Sequence, residues 1–567
     1  MVGAGDALER SRPYHAWRAV LATLLDVSEE GTARGRGTAS STIAGVTTTH
    51  AGLRLGVSRQ RAPLSQSDAR RLHALVSAAA PDLQAVTPLL NTVLPREMPE
   101  TDWTRSMDAP VRAASTLDLL AAVVRHSAGR SPLVVVLEDG QWLDSASWAL
   151  AARVARAPGL LLVIATRPFD ETVPHEYADL SQAPDTTLVR LGPLAPEAVA
   201  AVAARALGAE RLSRAVASLL QGRAEGSPLL ALELARSLRE AGLVGVHQGE
   251  ATLSPDASSG HPTLPDGVEG IVLGRVDRLP PLSQRVVKVA SVIGRRFTLD
   301  CLRHVLEAVE GSGVEQRVLA PALRTLEKAG LVEDVSADDE PAWVFSSGVV
   351  QQIVYELMGS DQRRGLHSAV AEYHEEEASE ATDLGLLAHH WLQAGRVLQA
   401  QPFLEPAAEA ALRAGAWAEA GRLYGQLLGT DDDGGPDEDR RRQRASWQTR
   451  FAVAEAGAGR VGEARQHVVE ALDLLGRRTG GSLAGAAVAS GARDLVLRRL
   501  VPAPAQRATM VEAAQAYERL AELHYLSDEP MAGLREALRG LALALRTGQA
   551  DVRARLQSAI ALACLLY

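Results

Sequence analysis

Glu138 and Asp139 stand side by side at the end of an unbroken apolar run, Leu133–Leu137. Five Val/Leu residues without alternation predict a strand buried on both faces, as in a parallel sheet. Acidic side chains at the carboxyl end of such a strand lie where open α/β sheets bind ligands. Paired carboxylates there suit a divalent cation and the orientation of a water for attack on a phosphoryl group. A core strand followed by a solvated acidic turn has the same pattern, because so short a motif also matches by chance. Three features nearby add weight. Trp142, Asp144 and Ser147 form a turn-then-helix pattern, with Asp144 or Ser145 placed to cap the helix. A second buried run, Leu160–Thr166, ends at Arg167 and Pro168, where a polar or cationic residue at the strand tip would read a phosphate. Further on, residues 224–228 (AEGSP) combine Gly226, which permits a close backbone turn, with Pro228, which fixes φ and removes a donor; a plain inter-helix turn is the simpler alternative.

The elements that must position these residues are numerous, since 567 residues hold three or four domains. Apolar content of 46% with 23% charged residues is ordinary for a globular chain, and aromatics are scarce at 4%. Abundant Ala, Leu and Arg favour helices packed through small residues. A net charge of −10 argues against a general nucleic-acid surface, which needs clustered Lys and Arg. The two cysteines, Cys301 and Cys564, are far apart and lack metal-ligand spacing, so neither a disulfide nor a zinc framework is expected and a reducing cytoplasm fits. No apolar run approaches the roughly 18–20 residues of a membrane span, and the N-terminus lacks the basic-then-apolar layout of a signal peptide.

Along the chain, residues 1–6 suggest the end of a strand, and PYHAWR (13–18) opens a helix running to about Leu25. Gly31–Thr38 is Gly-rich and basic, but it has no lysine and follows no buried strand, so it is expected to be a flexible loop. A phosphate loop needs strand, loop and helix in that order, and the sequence contains no Gly-Lys dipeptide. Residues 66–98 and 110–128 are expected to be amphipathic helices, and residues 186–191 (TTLVRL) a last strand. A helical lid then spans 193–246 and a Gly/Ser/Pro-rich linker 247–265. Residues 266–358 predict helices with a short hairpin, including an acidic loop at 333–340. From His367 onward the pattern is helical. Residues 415–420 (GAWAEA) resemble residues 459–464 (GRVGEA) at an offset of 44. Without the acidic loop of residues 430–439 this becomes 34, the tetratricopeptide period. Residues 478–509 interrupt the pattern, 513–526 and 531–547 resume it, and 556–567 leave an apolar helix face without a capping repeat.

LVVVLEDGQWLDSAS, LLLVIATRP and AEGSP together resemble the Walker B, sensor and Gly-x-Pro elements of the signal-transduction (STAND) branch of AAA-type P-loop ATPases. The order GAGDALERSRPYHAWR, LEDGQWLDSAS, VIGRRF, LAHHWLQAG and YERLAELHYLSDEP resembles the large bacterial regulators that accompany class III adenylate/guanylate cyclases; LuxR-type activators share the same pairing of ATPase and solenoid. The resemblance implies an α/β then all-α chain: an incomplete nucleotide-binding sheet (1–192) without its first strand and phosphate loop, a lid (193–246), a linker (247–265), a winged helix (266–358) and TPR-like helix pairs (359–567). It implies ATP and Mg²⁺ as ligands. Glu138 and Asp139 would be the metal-binding and water-activating pair, Arg167 with Thr166 the sensor, and Gly226 with Pro228 the adenine contact. The family usually has a His where Ser346 or Ser347 stands. The implied partners are a protein on the solenoid and an output domain in cis or trans, with no membrane. The expectation is a cytoplasmic piece of a longer signalling protein with ATP binding weakened and hydrolysis negligible. The alternatives are a repeat scaffold with a vestigial ATPase fold or part of a transcription activator.

Overall fold

The computed structural model describes residues 1–7, 9–25, 64–94, 97–169, 173–254, 268–310, 316–336, 341–376, 383–430, 438–483 and 503–566. The expected loop at Gly31–Thr38 lies outside them, as do most of the 247–265 linker and of the 478–509 interruption. Two compact units result, one of residues 1–186, 378–392 and 396–567, the other of residues 187–377 and 393–395.

The first unit begins with a three-stranded parallel sheet in the order β1 (Val2–Ala4), β2 (Leu133–Glu138), β3 (Leu160–Ile164). Val2 lies beside Val136, and Val134 beside Leu161. Between β1 and β2 come α1 (His15–Leu25), α2 (Gln66–Ala79) and α3 (Ala109–Arg130). Within the helical region expected over 66–98, the α-helix ends at Ala79. Residues 81–92 continue as a 3-10 helix, with Pro81 at its start and Pro88 within it, because proline removes the donor that an α-helix needs. Between β2 and β3 lies α4 (Ser145–Val154), and α5 (His175–Gln182) follows β3.

The expectation of a strand buried on both faces is corrected on one side. Val135 and Leu137 are buried, whereas Val134 is 47% and Leu161 58% exposed. Both crossovers advance the same way across the sheet, and right-handed crossovers of that kind set their helices on one face. Among the described residues the other face is exposed, at Val2 and Val163 as at Val134 and Leu161.

The second unit starts with α6 (Pro196–Leu207), β4 (Arg211–Leu212), α7 (Arg214–Ala224) and α8 (Pro228–Glu240). The expected strand at 186–191 is not formed. That stretch is irregular, with Val189 and Leu191 strongly exposed, since no strand among the described residues pairs with it and an unpaired extended segment has no ladder to hold it. The end of the expected lid and the described start of the expected linker carry two short strands. β5 (Val244–His247) and β6 (Glu250–Leu253) form a hairpin, and β6 pairs with β4. Beyond it come α9 (Val268–Arg278), α10 (Pro281–Ile293), β7 (Arg296–Thr298), α11 (Leu299–Glu310), α12 (Gln316–Lys328), β8 (Val332–Asp334), β9 (Ala342–Phe345), α13 (Gly348–Glu356) and α14 (Ser360–Glu376). The strands make an antiparallel sheet in the order β7-β9-β8, over a core that includes Val286, Phe297, Leu323 and Phe345. Ser347 caps α13 by accepting from the Val350 N–H at 3.2 Å.

The chain then returns to the first unit with α15 (Leu384–Gln393), α16 (Val397–Ala414), α17 (Trp417–Thr430), α18 (Glu438–Gly457), α19 (Val461–Leu474), α20 (Pro504–Leu526), α21 (Pro530–Thr547) and α22 (Ala550–Leu566). Neighbouring helices pack as pairs. Gly415 and Gly459 end their helices with positive φ, and five residues later Ala420 and Ala464 are fully buried. A third instance is hidden in the sequence. Asp528 takes the left-handed position, and Gly533 five residues on stands so close to the Ala521 carbonyl that a Cβ would lie 3.0 Å from it.

Candidate nucleotide site at the ends of the parallel strands

Glu138 closes β2 on the open face of the sheet, in register with Ala4, and its side chain is exposed. The next residue turns sharply: Asp139 has φ 51° and ψ 46°, a left-handed conformation uncommon for a side chain other than Gly, Asn or Asp. Gly140 follows, donates its N–H to the Ala165 carbonyl at 2.8 Å, and packs tightly. A Cβ there would stand 3.0 Å from Thr166 Cβ and 3.1 Å from Ile164 Cγ2. The absence of a side chain therefore lets the turn after β2 lie against the end of β3.

Gln141 joins the two strand ends. Its amide nitrogen donates to Asp139 Oδ1 at 3.2 Å, and its oxygen accepts the Arg167 N–H at 3.0 Å. Thr166 donates its hydroxyl to the Arg167 carbonyl at 2.9 Å. Four of the six expected residues, Glu138, Asp139, Thr166 and Arg167, are thus brought to one end of the parallel sheet. Gly226 and Pro228 belong to the second unit. There Glu225 (φ 46°) and Gly226 (φ 76°) make a left-handed turn, and a Cβ on Gly226 would lie 2.5 Å from Pro193 Cβ. Ser227 caps α8 by accepting from the Leu230 N–H, and Pro228 occupies the first helical turn, where a missing donor costs nothing.

Among the described residues no three His, Cys, Asp or Glu side chains gather as a metal cage. Glu138 and Asp139 still suit Mg²⁺, which takes one or two carboxylates and completes its shell with phosphate oxygens and water. Gln141 was not singled out in the sequence. Its signal was its place in the turn that joins the acidic pair to the capping Asp144.

Asp144 caps α4 and is almost completely buried. Its Oδ1 accepts the N–H groups of Tyr14 (3.0 Å) and Ser147 (2.9 Å), and its Oδ2 accepts the His15 N–H (3.2 Å) and the Ser147 hydroxyl (2.5 Å). The carboxylate thereby ties the start of α1 to the start of α4, and Trp17 reinforces the tie by donating to the Ser147 carbonyl at 3.1 Å. Burial pushes the Asp144 carboxyl up despite these donors. A second buried acid reaches the same helix end from the repeats. Glu419 of α17 accepts the Ser145 N–H at 3.2 Å and the Ser145 hydroxyl at 2.6 Å, and Ser145 Oγ accepts the Ala418 N–H at 3.3 Å. Burial, followed by repulsion from Asp144, pushes the Glu419 carboxyl up to about 7. Arg422, one turn further along α17, donates to Ser11 Oγ at 3.2 Å.

No family model matches the chain. A curated uncharacterized protein of Rhizobium meliloti (strain 1021) is 28% identical over 320 residues, covering 55% of this chain. The chain spans only 29% of that relative's length. Among solved structures, a Signal Transduction ATPase with Numerous Domains protein with a tetratricopeptide repeat sensor, from Pyrococcus horikoshii, aligns with 89% of this chain and 67% of its own, at 12% identity and a TM-score of 0.39. A superposition at that score decides neither fold nor function. The fold stands on its own elements: a mostly helical chain with a small parallel sheet and no described helix long and apolar enough to cross a membrane.

Proposed function

We propose that this chain is a regulatory ATP-binding signalling module, an AAA/STAND-type nucleotide-binding fold joined to TPR-like repeats within a larger cytoplasmic bacterial protein of the cyclase-associated kind. The observation that carries the reading is the grouping at the carboxyl ends of β2 and β3, where Gln141 bonds Asp139 and the Arg167 backbone together. Ligands of parallel sheets bind at that end. In this reading Glu138 and Asp139 hold Mg²⁺ and orient water, Arg167 and Thr166 face phosphate, and Gly226 and Pro228 shape the adenine contact. The left-handed turn at Asp139 leads from the end of β2 into Gly140, which packs against the end of β3, and so keeps the acidic pair beside Thr166 and Arg167. In the second unit, the order of α10, β7, α11, α12, β8 and β9 supports the winged-helix reading of that region. Without a G-x-x-x-x-G-K-[ST] loop in the sequence, the β- and γ-phosphates lose their backbone cradle and lysine, so ATP binds weakly and hydrolysis is negligible.

The test is a titration of the full chain with ATP, with and without Mg²⁺, beside Asp139→Asn. We expect Mg²⁺-dependent binding with a Kd weaker than about 100 μM, a free energy below about 5.5 kcal/mol, and loss of the Mg²⁺ dependence in the variant. Binding that ignores both Mg²⁺ and the substitution would overturn the assignment of the acidic pair. No binding at all would favour the second reading, a repeat scaffold with a vestigial ATPase fold. That reading draws on the direct bonds from the repeats to the sheet region, Glu419 to Ser145 and Arg422 to Ser11.

A further inference from the structure

Two buried carboxylates converge on the first turn of α4, and no arginine or lysine pairs with either among the described residues. The groups on the elements packed around Glu419 are otherwise engaged. From the start of α4 comes Asp144, saturated by four donors. From the Glu9–Ser11 turn come Glu9, paired with His15 and Arg12, and Arg10, which lies over the Trp142 ring. From α16 comes Glu409, which accepts the Tyr424 hydroxyl, and from α18 Glu455, held by Arg460. On α17 itself Arg422 is bonded to Ser11.

A buried negative charge without a cation is costly, and two beside one another more so. A proton on Glu419 removes the cost without losing the contact. The Ser145 N–H and hydroxyl both donate to the Glu419 carboxyl. With a proton on Glu419 the 2.6 Å bond reverses, the acid donating its O–H to Ser145 Oγ, which keeps the Ala418 N–H, while the carbonyl oxygen still accepts the Ser145 N–H. The turn from Asp139 to Asp144 leads directly into the helix end so held. Only five residues, 140–144, therefore lie between the acidic pair and a contact made by a repeat helix.

We propose that Glu419 is a positioning residue of the Glu138–Asp139 site, acting through Ser145, and that its proton decides whether the repeats hold the β2–α4 turn in place. With its carboxyl neutral, Glu419 holds α4 and the turn together; with it ionised, the contact loosens. The direction of the pH dependence follows. A carboxyl of this type ordinarily titrates at 4.5 and here is pushed up to about 7. The released form loses its proton first, so the contact is strongest below about pH 4.5, weakens as pH rises toward 7, and changes little above that. A shift of that size corresponds to weakening on the order of 100-fold across the window. The consequence for nucleotide rests on the function proposed above, but the contact itself does not.

Hydrogen–deuterium exchange of the full chain tests it, read on peptides from Ser145–Val154 and Trp417–Thr430 and corrected for intrinsic exchange. Between about pH 5 and about pH 7.5 we expect protection to fall at least tenfold in the wild type. Glu419→Gln, which mimics the neutral acid, should stay protected throughout, and Glu463→Gln should behave as wild type. A wild-type profile flat with pH, or a Glu419→Gln profile that still falls, would overturn the proposal. Should Glu419→Gln not fold, Ser145→Ala gives the same decision: protection low and flat with pH supports the joint, and a retained pH dependence refutes it. Mg²⁺-ATP titrations at the two pH values separate the readings. A pH-dependent exchange step without nucleotide binding keeps the joint and removes the proposed function, whereas nucleotide affinity that falls with pH in wild type but not in Glu419→Gln supports both.

Discussion

The turns before α17 and α19 share one sequence pattern and have opposite surroundings. Gly415–Ala420 and Gly459–Ala464 each place a left-handed glycine at the first position, a glutamate at the fifth and a fully buried alanine at the sixth. In the first, Glu419 is buried and bonds Ser145 at the head of α4. In the second, Glu463 is about two-thirds exposed and lies 3.3 Å from Arg460. The glycine and the alanine serve helix pairing, and that requirement is the same at both places: the chain must reverse, and the next helix must come close. The glutamate takes its role from whatever stands opposite. Against solvent it makes a surface ion pair of little consequence; against a helix end it becomes a buried acid with a displaced proton affinity.

Several substitutions would break or sharpen this contrast. The largest and most equal effects belong to the alanines. Ala420→Leu and Ala464→Leu each force a side chain into a filled helix contact and should each lower stability by about 2–3 kcal/mol, seen as parallel losses in thermal or denaturant unfolding. A clear difference between the two would mean that the turns are not structural equivalents. The glutamates should differ in the next tier. Glu419→Ala strands the Ser145 N–H and hydroxyl and should cost about 1–3 kcal/mol at mildly acid pH, whereas Glu463→Ala should cost at most about 0.5 kcal/mol. Equal losses would show that burial at Glu419 carries no energetic weight. Glu419→Gln should leave stability at acid pH within about 0.5 kcal/mol of wild type and exceed it near pH 8, because the buried charge is gone.

A second buried acid gives the converse case. Glu233 on α8 meets the Arg275 guanidinium of α9 at 2.5 Å, both nearly inaccessible. Here Arg275→Met should destabilise by about 3–5 kcal/mol by leaving a buried charge without its partner. Glu233→Gln should likewise be harmful, unlike Glu419→Gln. A neutral outcome for Glu233→Gln would remove the distinction between an acid compensated by a cation and one compensated by a proton.

Local patterns in the chain determined much of the architecture. The apolar runs 133–137 and 160–165 are legible as neighbouring strands of a parallel sheet, although Val134, Leu161 and Val163 stay exposed. A helix cap at Asp144 or Ser145 is legible from their place before the helix, with Asp144 chosen in the structure, and the spacing from glycine to alanine reveals the repeat. The gathering of Glu138, Asp139, Thr166 and Arg167 was also foreseeable, since residues at the ends of adjacent strands become neighbours. What the tertiary structure alone decided are the features that depend on what lies opposite. Val134 and Leu161 lie exposed among the described residues, because right-handed crossovers that advance the same way set their helices on one face. Residues 186–191 have strand composition but no strand to pair with among the described residues. Gln141 becomes a bridge because Gly140 draws the two strand ends together, and Glu419 differs from Glu463 because residues more than 270 positions apart in sequence, Ser145 and Glu419, meet. Periodicity records how a segment buries its own face; which partner fills the space beyond that face is a long-range property that no local pattern carries.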